Sequence, residues 1–275
     1  MNEILIAVIV VAATGLVCGV LLALASHYMD VPVDERFSKA RACLPGANCG
    51  ACGYTGCDGY AKALADGDTD KSNLCVPGGD VAAKGLSEAL GLKFEDVEEK
   101  VAFVHCNGNC DTSKDRAHYD GIGDCKSAAL IYGGPEACVY GCLGFGDCAQ
   151  ACPENAICLD SGVARVDINK CIGCGVCTRT CPKQIISLLS VPVKTVNQCS
   201  SKEKGANTRK ACSNGCIGCK KCELNCPEHA VKVVDNLAVI DYSLCTGCGK
   251  CAEVCPVGCM IQINLSESHS AQQAL

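Results

Sequence analysis

The sequence predicts an α+β protein in which one N-terminal transmembrane helix precedes small cysteine-rich modules. Three observations predict this architecture. The chain begins with a charge-free apolar run, its 275 residues include 29 cysteines in short regular gaps, and one cysteine pattern recurs at a constant offset of 74 residues. Aromatic residues make up only 4% of the chain and tryptophan is absent. Such modules cannot depend on a large apolar core, and bound metal can stabilise them instead.

The apolar run covers residues 4–26 and would span roughly 35 Å as a helix, at about 1.5 Å per residue, which is enough to cross a bilayer. A cleaved signal peptide is the main alternative, because Ala23-Leu24-Ala25 resembles a cleavage site. Glu3 argues against it, since a signal peptide begins with positive charge. We therefore expect a membrane anchor over residues 1–29.

The charge pattern predicts where the rest of the chain lies. Arg36, Lys39 and Arg41 follow the apolar run, and the positive-inside rule then predicts a single-pass membrane protein with its bulk in the cytoplasm. Cytoplasmic thiols stay reduced, which favours metal ligation over disulfides. The formal net charge of −6 provides no basic footprint, so we expect no nucleic-acid partner.

The first cysteine motif, CLPGANCGACGYTGCDGY, covers residues 43–60. Glycines beside its later cysteines allow the backbone to fold closely around an inorganic core. Zinc is the alternative to an iron–sulfur cluster, because both accept tetrahedral sulfur ligation. We predict a small [4Fe–4S] domain over residues 30–92, with Cys43 set aside and these ligands: Cys49, Cys52, Cys57 and Cys75.

The 74-residue repeat indicates a duplicated module. Every cysteine of one series has a partner 74 residues later, and Pro153 and Pro182 likewise match Pro227 and Pro256. The first series is Cys125, Cys138, Cys142, Cys148, Cys152, Cys171, Cys174, Cys177 and Cys181. The second series is Cys199, Cys212, Cys216, Cys222, Cys226, Cys245, Cys248, Cys251 and Cys255.

Each copy contains the pattern of a bacterial two-cluster ferredoxin, most completely in CIGCKKCELNCP and CTGCGKCAEVCP. In that pattern, three cysteines of one run bind one cluster, and the cysteine before proline binds the other. This predicts one cluster on Cys216, Cys219, Cys222 and Cys255, and its neighbour on Cys245, Cys248, Cys251 and Cys226. Alternating segments with turns at Ser161-Gly162 and Asp235-Asn236 predict a β-hairpin in each copy. We expect tandem two-cluster ferredoxin-like modules over residues 93–198 and 199–265, and a tail over 266–275.

The first copy departs from the pattern at Phe145, which occupies the place of Cys219. Cys171, Cys174, Cys177 and Cys152 still form a complete predicted site. Cys142, Cys148 and Cys181 lack their usual fourth partner. Cys138 supplies it, or the site holds a [3Fe–4S] cluster, and the sequence does not choose between them.

A further site is predicted upstream of the first copy. Cys106 and Cys110 have no counterparts at the repeat offset, and with Cys125 they make three quarters of a site that Cys138, Cys199 or Cys212 could complete. Setting aside Cys18, Cys43, Cys158 and Cys259 leaves 25 candidate ligands. We therefore predict about six clusters with one cysteine over.

The order of a transmembrane helix, NCGACGYTGC and a final CTGCGKCAEVCPVGCM resembles the B-subunit family of the Rnf complex, the ion-translocating ferredoxin:NAD oxidoreductase. The resemblance implies electron transfer from soluble ferredoxin, through the ferredoxin-like modules and the membrane-proximal site, to membrane partner subunits. It further implies flavin-bearing and NAD-reducing subunits beyond them, coupling to Na⁺ or H⁺ translocation, and no catalytic residue or nicotinamide chemistry on this chain. The alternatives are an electron-transfer subunit of another membrane or bifurcating reductase, a cluster carrier and a structural zinc protein.

Overall fold

The computed structural model describes residues 2–28 and 34–263. Helix α1 covers Asn2–Tyr28, and its segment Leu5–Ala25 has a mean hydropathy of 2.9 with none of it buried against the protein. Within the described ranges it is the one helix long and apolar enough to cross a membrane. The expected apolar helix is thus present, whereas the predicted tail at 266–275 lies outside the described residues.

The membrane-proximal domain consists of short helices around a small apolar core. Helices α2 (Glu35–Ala42), α3 (Cys57–Asp66) and α4 (Gly79–Leu90) are joined by loops and a 3₁₀ turn at Val76–Gly78. Tyr60, Leu64 and Leu86 are almost fully buried between these helices. The Tyr60 hydroxyl donates to the Lys71 carbonyl over 2.6 Å and thereby fixes the loop that leads to Cys75.

The first ferredoxin-like module pairs its first strand with its last. Strand β1 (Lys100–Val104) lies antiparallel to β4 (Ile186–Ser190), and β2 (Ile157–Asp160) forms a hairpin with β3 (Val163–Val166). The hairpin confirms the predicted turn at Ser161-Gly162. Short helices lie between the strands and carry cysteines: α5 (Cys125–Leu130), α6 (Asp147–Gln150) and α7 (Val176–Thr180).

The second module repeats this arrangement. Strand β5 (Thr195–Asn197) pairs with β8 (Met260–Gln262), and β6 (Val231–Val234) forms the predicted hairpin with β7 (Leu237–Ile240). Its helices are α8 (Gly205–Ala211), α9 (Lys221–Leu224) and α10 (Lys250–Glu253). Its first strand begins at Thr195, ahead of the boundary expected at residue 199.

Hydrogen bonds join the two modules along their loops. The Lys114 amide donates to the Ala211 carbonyl, and the Ser200 hydroxyl donates to the carbonyl of His105. The half-buried His105 ring lies within hydrogen-bond distance of the Asn197 carbonyl and the Ser187 hydroxyl, at 2.7 and 2.6 Å. This histidine therefore packs between the modules, and burial lowers its pKa.

Candidate metal centre

The membrane-proximal domain gathers its four predicted ligands in one place, called site 1. Burial raises the pKa of the Cys75 thiol to about 11, and three further thiols lie close enough to raise it as well. Cys57 opens α3, and the Asn48 side chain holds its backbone amide at 2.9 Å. The gathered thiols are Cys49, Cys52, Cys57 and Cys75.

The crossed pairing predicted for the ferredoxin runs appears in the geometry of both modules. Site 2 gathers Cys171, Cys174 and Cys177 with Cys152, the last cysteine of the other run. Site 6 gathers Cys245, Cys248 and Cys251 with Cys226. Site 5 gathers Cys216, Cys219 and Cys222 with Cys255. In each site the last-named thiol comes from the neighbouring run.

Cys125 completes the group that Phe145 leaves short. Together with Cys142, Cys148 and Cys181 it lines one pocket, called site 3. Burial raises the pKa of the Cys148 thiol to about 12, and these three neighbours raise it too. Asp147 positions Cys125 by accepting from its backbone amide over 2.9 Å. Cys138, the fourth partner suggested by the sequence, lies in a different group.

Site 4 lies between the two modules. A second pocket is lined by Cys106, Cys138, Cys199 and Cys212. Cys138 and Cys212 are partners at the repeat offset of 74. Cys106 and Cys199 are partners by fold, because each stands two residues after the first strand of its module. Each module therefore contributes one equivalent pair of thiols.

The structure does not bring Cys106, Cys110 and Cys125 together as the sequence suggested. Cys106 faces site 4, Cys125 faces site 3, and Cys110 is exposed beside Gly162. The physical reason is the strand pairing. Cys106 lies two residues after β1, and the pairing of β1 with β4 fixes the position of Cys106 between the modules, whatever its spacing from Cys110.

The sites adjoin one another in the order 1 to 6. The Cys49 thiol of site 1 lies close enough to raise the pKa of the Cys174 thiol in site 2. The Cys177 thiol of site 2 likewise raises the pKa of the Cys148 thiol in site 3. The next steps use backbone amides: Cys142 donates to the Cys106 sulfur over 3.4 Å, and Cys216 donates to the Cys199 sulfur over 3.2 Å. Helix α9 connects site 5 to site 6, since it carries Cys222 and leads directly to Cys226.

The donor set fits iron–sulfur clusters. Each of the six groups offers four cysteine thiols, which is the ligand set of a [4Fe–4S] cluster. Sites 2, 5 and 6 also take one thiol from a neighbouring run, which is the arrangement of a two-cluster ferredoxin and which a zinc site does not require.

Burial keeps several of these thiols protonated until metal binds. It raises the pKa of Cys106 to about 12 and that of Cys199 to about 11. A thiolate is the species that ligates metal, so cluster insertion must release protons at these positions. The chemistry that the clusters supply is one-electron transfer with little rearrangement.

Cys259 is a thiol that the sequence pattern set aside and that the structure places beside site 5. Its side chain is only 1% exposed, and its sulfur lies 3.6 Å from the Cys255 sulfur. Hydrogen bonding from Cys259 lowers the pKa of both Cys216 and Cys255. The signal that could have found it is its position four residues after the crossing cysteine, just before β8.

The remaining cysteines set aside lie away from these groups. Cys18 lies on α1, and Cys158 is exposed on β2. The Cys43 thiol lies 3.3 Å from the Lys39 carbonyl within its own helical segment.

Family models match most of the cysteine-bearing chain. An Fe-S cluster domain model matches residues 44–77, which include the site 1 thiols. Two 4Fe-4S dicluster domain models match residues 170–231 and 215–259, and a 4Fe-4S binding domain model matches residues 138–156. The dicluster match at 170–231 crosses the module boundary and contains one run from each module. In the structure, the first of these runs groups with Cys152 and the second with Cys255, and both of these cysteines lie outside the matched range. These matches and the six thiol groups define a multi-cluster iron–sulfur protein.

Relatives extend the match to nearly the whole chain. The B-subunit of a proton-translocating ferredoxin:NAD(+) oxidoreductase complex from Clostridium ljungdahlii is 42% identical, over 94% of this chain and 92% of the relative. The B-subunit of a Na(+)-translocating ferredoxin:NAD(+) oxidoreductase complex from Acetobacterium woodii is 38% identical, over 94% and 78%. The B-subunit of an ion-translocating oxidoreductase complex from Methanosarcina acetivorans is 36% identical, over 93% and 97%. The chain belongs to the B-subunit family of the Rnf complex.

Proposed function

We propose that this chain relays electrons one at a time from a soluble ferredoxin to membrane subunits of an ion-translocating ferredoxin:NAD oxidoreductase. The observation that carries the proposal is the row of adjoining four-thiol groups, from site 6 to site 1. Adjoining clusters permit short hops, whereas a carrier or a structural protein has no need of a continuous row. The flavin-bearing and NAD-reducing partners and the translocation of Na⁺ or H⁺ belong to the assembly.

The proposal assigns six [4Fe–4S] clusters to 24 of the 25 candidate cysteines and leaves Cys110 over. At site 3, Cys125 provides a fourth thiol. A [4Fe–4S] cluster therefore fits better there than the three-iron alternative.

Exposure and chain order support one direction for the relay. Of the thiols in the six sites, only Cys219 and Cys248 are exposed, and they belong to sites 5 and 6. Site 1 lies in the domain that follows α1 after a short linker. We propose that electrons enter at the second module and leave from site 1, with α1 as a single-pass anchor in the bacterial inner membrane and the clusters on the cytoplasmic side.

The test starts from the full chain, isolated without oxygen. We expect iron and sulfide in nearly equal amounts, visible absorption that bleaches with dithionite, and paramagnetic resonance signals from the reduced clusters. Reduced ferredoxin, added in excess over the clusters so that it supplies one electron to each, should then fill them. A colourless, iron-free chain would contradict the cofactor assignment, and a loaded chain that ferredoxin fails to reduce would contradict the electron source.

A further inference from the structure

The exposed ligand of site 5 lies among lysine side chains. Lys220 and Lys221 directly follow Cys219, and all three are exposed. Lys202 and Lys204 are exposed on the loop after Cys199. These four lysines are called the basic face below.

One asparagine brings the two segments of the basic face together. The Asn236 side-chain amide donates to the Lys202 carbonyl over 3.2 Å. The Asn236 backbone carbonyl lies against Gly218, 2.9 Å from where a Cβ would stand. The segments that carry Lys202 and Lys220 therefore both contact the β6–β7 turn at Asn236.

The first module provides an internal comparison. The positions 74 residues before the four lysines are occupied by Ala128, Leu130, Gly146 and Asp147, none of which is basic. Site 3, beside those positions, has no exposed thiol among its four. Site 5 therefore has both an exposed thiol and four lysines at these positions, whereas site 3 has neither.

Lys220 adopts a backbone conformation that favours glycine. Its φ is 61°, in the left-handed region. Gly146, Gly175 and Gly249 occupy the same place in the other three runs, with φ of 87°, 68° and 77°. A side chain at such a φ is strained, whereas glycine is not. Strain retained beside a functional site indicates a use for the side chain, which here is its charge.

Nearby acidic groups reduce the positive charge of the basic face. Glu203 accepts from the Asn207 side chain at 3.1 Å and Glu223 accepts from the Val233 amide at 3.2 Å, and both keep their negative charge because these donors are neutral. Together with the exposed Asp235 on the neighbouring turn, they offset three of the four lysine charges. Arg209 and Lys210 are exposed on α8, which begins directly after Lys204, and add two positive charges on a chain whose formal net charge is −6.

We propose that the basic face docks an acidic one-electron carrier protein, with Cys219 and site 5 as its first electron acceptor. This inference rests on the proposed function and names the surface that serves it. The partner that we propose is a carrier whose surface around its cluster is acidic and therefore opposite in charge to the basic face. Opposite charges on two partners accelerate their encounter, and salt weakens that effect.

The test measures how fast reduced ferredoxin reduces the fully loaded chain, by stopped-flow absorption over a range of salt concentrations. We expect the second-order rate constant of Lys220→Glu/Lys221→Glu at low salt to fall by about tenfold or more, with a flatter salt dependence. The control Lys62→Glu/Lys93→Glu makes the same charge change at two exposed positions, one in the membrane-proximal domain and one directly after it, and should stay within about twofold of the unmodified chain. Iron content and reduction by titanium(III) citrate should be equal in all variants.

Lys220→Gly separates docking from folding. It removes a charge and relieves the left-handed strain, so we expect slower reduction by ferredoxin without any loss of thermal stability. Reversal and glycine variants that react as fast as the unmodified chain would overturn the docking inference alone. An unmodified chain that accepts electrons from titanium(III) citrate but none from ferredoxin would overturn the proposed electron source, and with it this inference.

Discussion

Cys125 lies in site 3, where Phe145 replaces the cysteine found at this position in the other copy. Its proposed role as the fourth ligand can be tested directly. The Phe145 ring packs edge-on against Tyr119, at 5.6 Å between ring centroids. Cys125→Ala should therefore remove one iron or the whole cluster from site 3, because only three thiols remain there. Phe145→Cys in the same chain should restore it, since position 145 matches Cys219 at the repeat offset. Iron analysis and a three-iron resonance signal in the oxidised chain provide the readout. Full iron in the single variant would contradict the assignment.

The crossed groups of thiols could be predicted residue by residue, whereas the thiol group of site 4 could not. Short gaps such as those of CIGCKKCELNCP keep the first three thiols of a run together, and the two-cluster ferredoxin pattern predicts which run the cysteine before proline joins. Cys106 and Cys142 are 36 residues apart, but their structural equivalents Cys199 and Cys216 are only 17 apart. The 19 additional residues in the first copy hide the equivalence from any constant offset. Aligning the strands that precede Cys106 and Cys199 would have revealed it.

Lys183 places a positive charge between sites 3 and 4. Its ammonium group donates to the carbonyls of Gly133 and Val139, and it acts electrostatically on the thiols of Cys138 and Cys181. A nearby positive charge stabilises the reduced, more negative form of a cluster. Lys183→Met should therefore lower the reduction potential of one or both sites, by an amount on the order of tens of millivolts.

The measurement for Lys183 is a redox titration followed by paramagnetic resonance. Lys183→Arg is the matched control, because it keeps the charge and can still donate to both carbonyls. Equal potentials in the methionine, arginine and unmodified chains, at equal iron content, would mean that solvent screens this charge.

Short helices act as the elements that link neighbouring sites. Helix α9 carries Cys222 in site 5, and the chain leaves it to place Cys226 in site 6. Cys226→Ala should therefore eliminate the signals of the Cys245, Cys248 and Cys251 site while those of site 5 persist. Iron analysis and resonance spectra of the reduced chain check this, with the exposed Cys158→Ala as the control that loses nothing. Loss of the nearer cluster at site 5 would refute the crossed pairing.

The strands were less predictable than the cysteine runs at this scale. Both hairpins follow from alternating residues around a turn, because the pairing is local. The β1–β4 and β5–β8 pairs join segments far apart in sequence, and their short strands show no distinctive pattern of their own. Pairing of that kind depends on the fold as a whole, so β5 begins before the expected module boundary.

For the molecule as a whole, the duplication predicted two modules but not how they meet. Their junction is site 4, to which each module contributes one thiol from the segment after its first strand and one from the loop before its first run. Backbone amides link these thiols to the sites on both sides: Cys142 donates to Cys106, and Cys216 donates to Cys199. Site 4 is therefore the one connection between the second module and sites 1 to 3 in the proposed row.

Breaking site 4 should divide the relay into two halves. In Cys212→Ala, reduced ferredoxin should fill sites 5 and 6 as quickly as before, because both lie on the ferredoxin side of the gap. Sites 1 to 3 should fill far more slowly, since the hop from site 5 to site 3 becomes the long step. Rapid-freeze resonance spectra taken after mixing distinguish early from late signals. Cys110→Ala is the control, as that exposed thiol belongs to none of the six groups and its loss should leave the time course unchanged. Equally rapid filling of sites 1 to 3 in Cys212→Ala would mean that electrons enter the first module by another route.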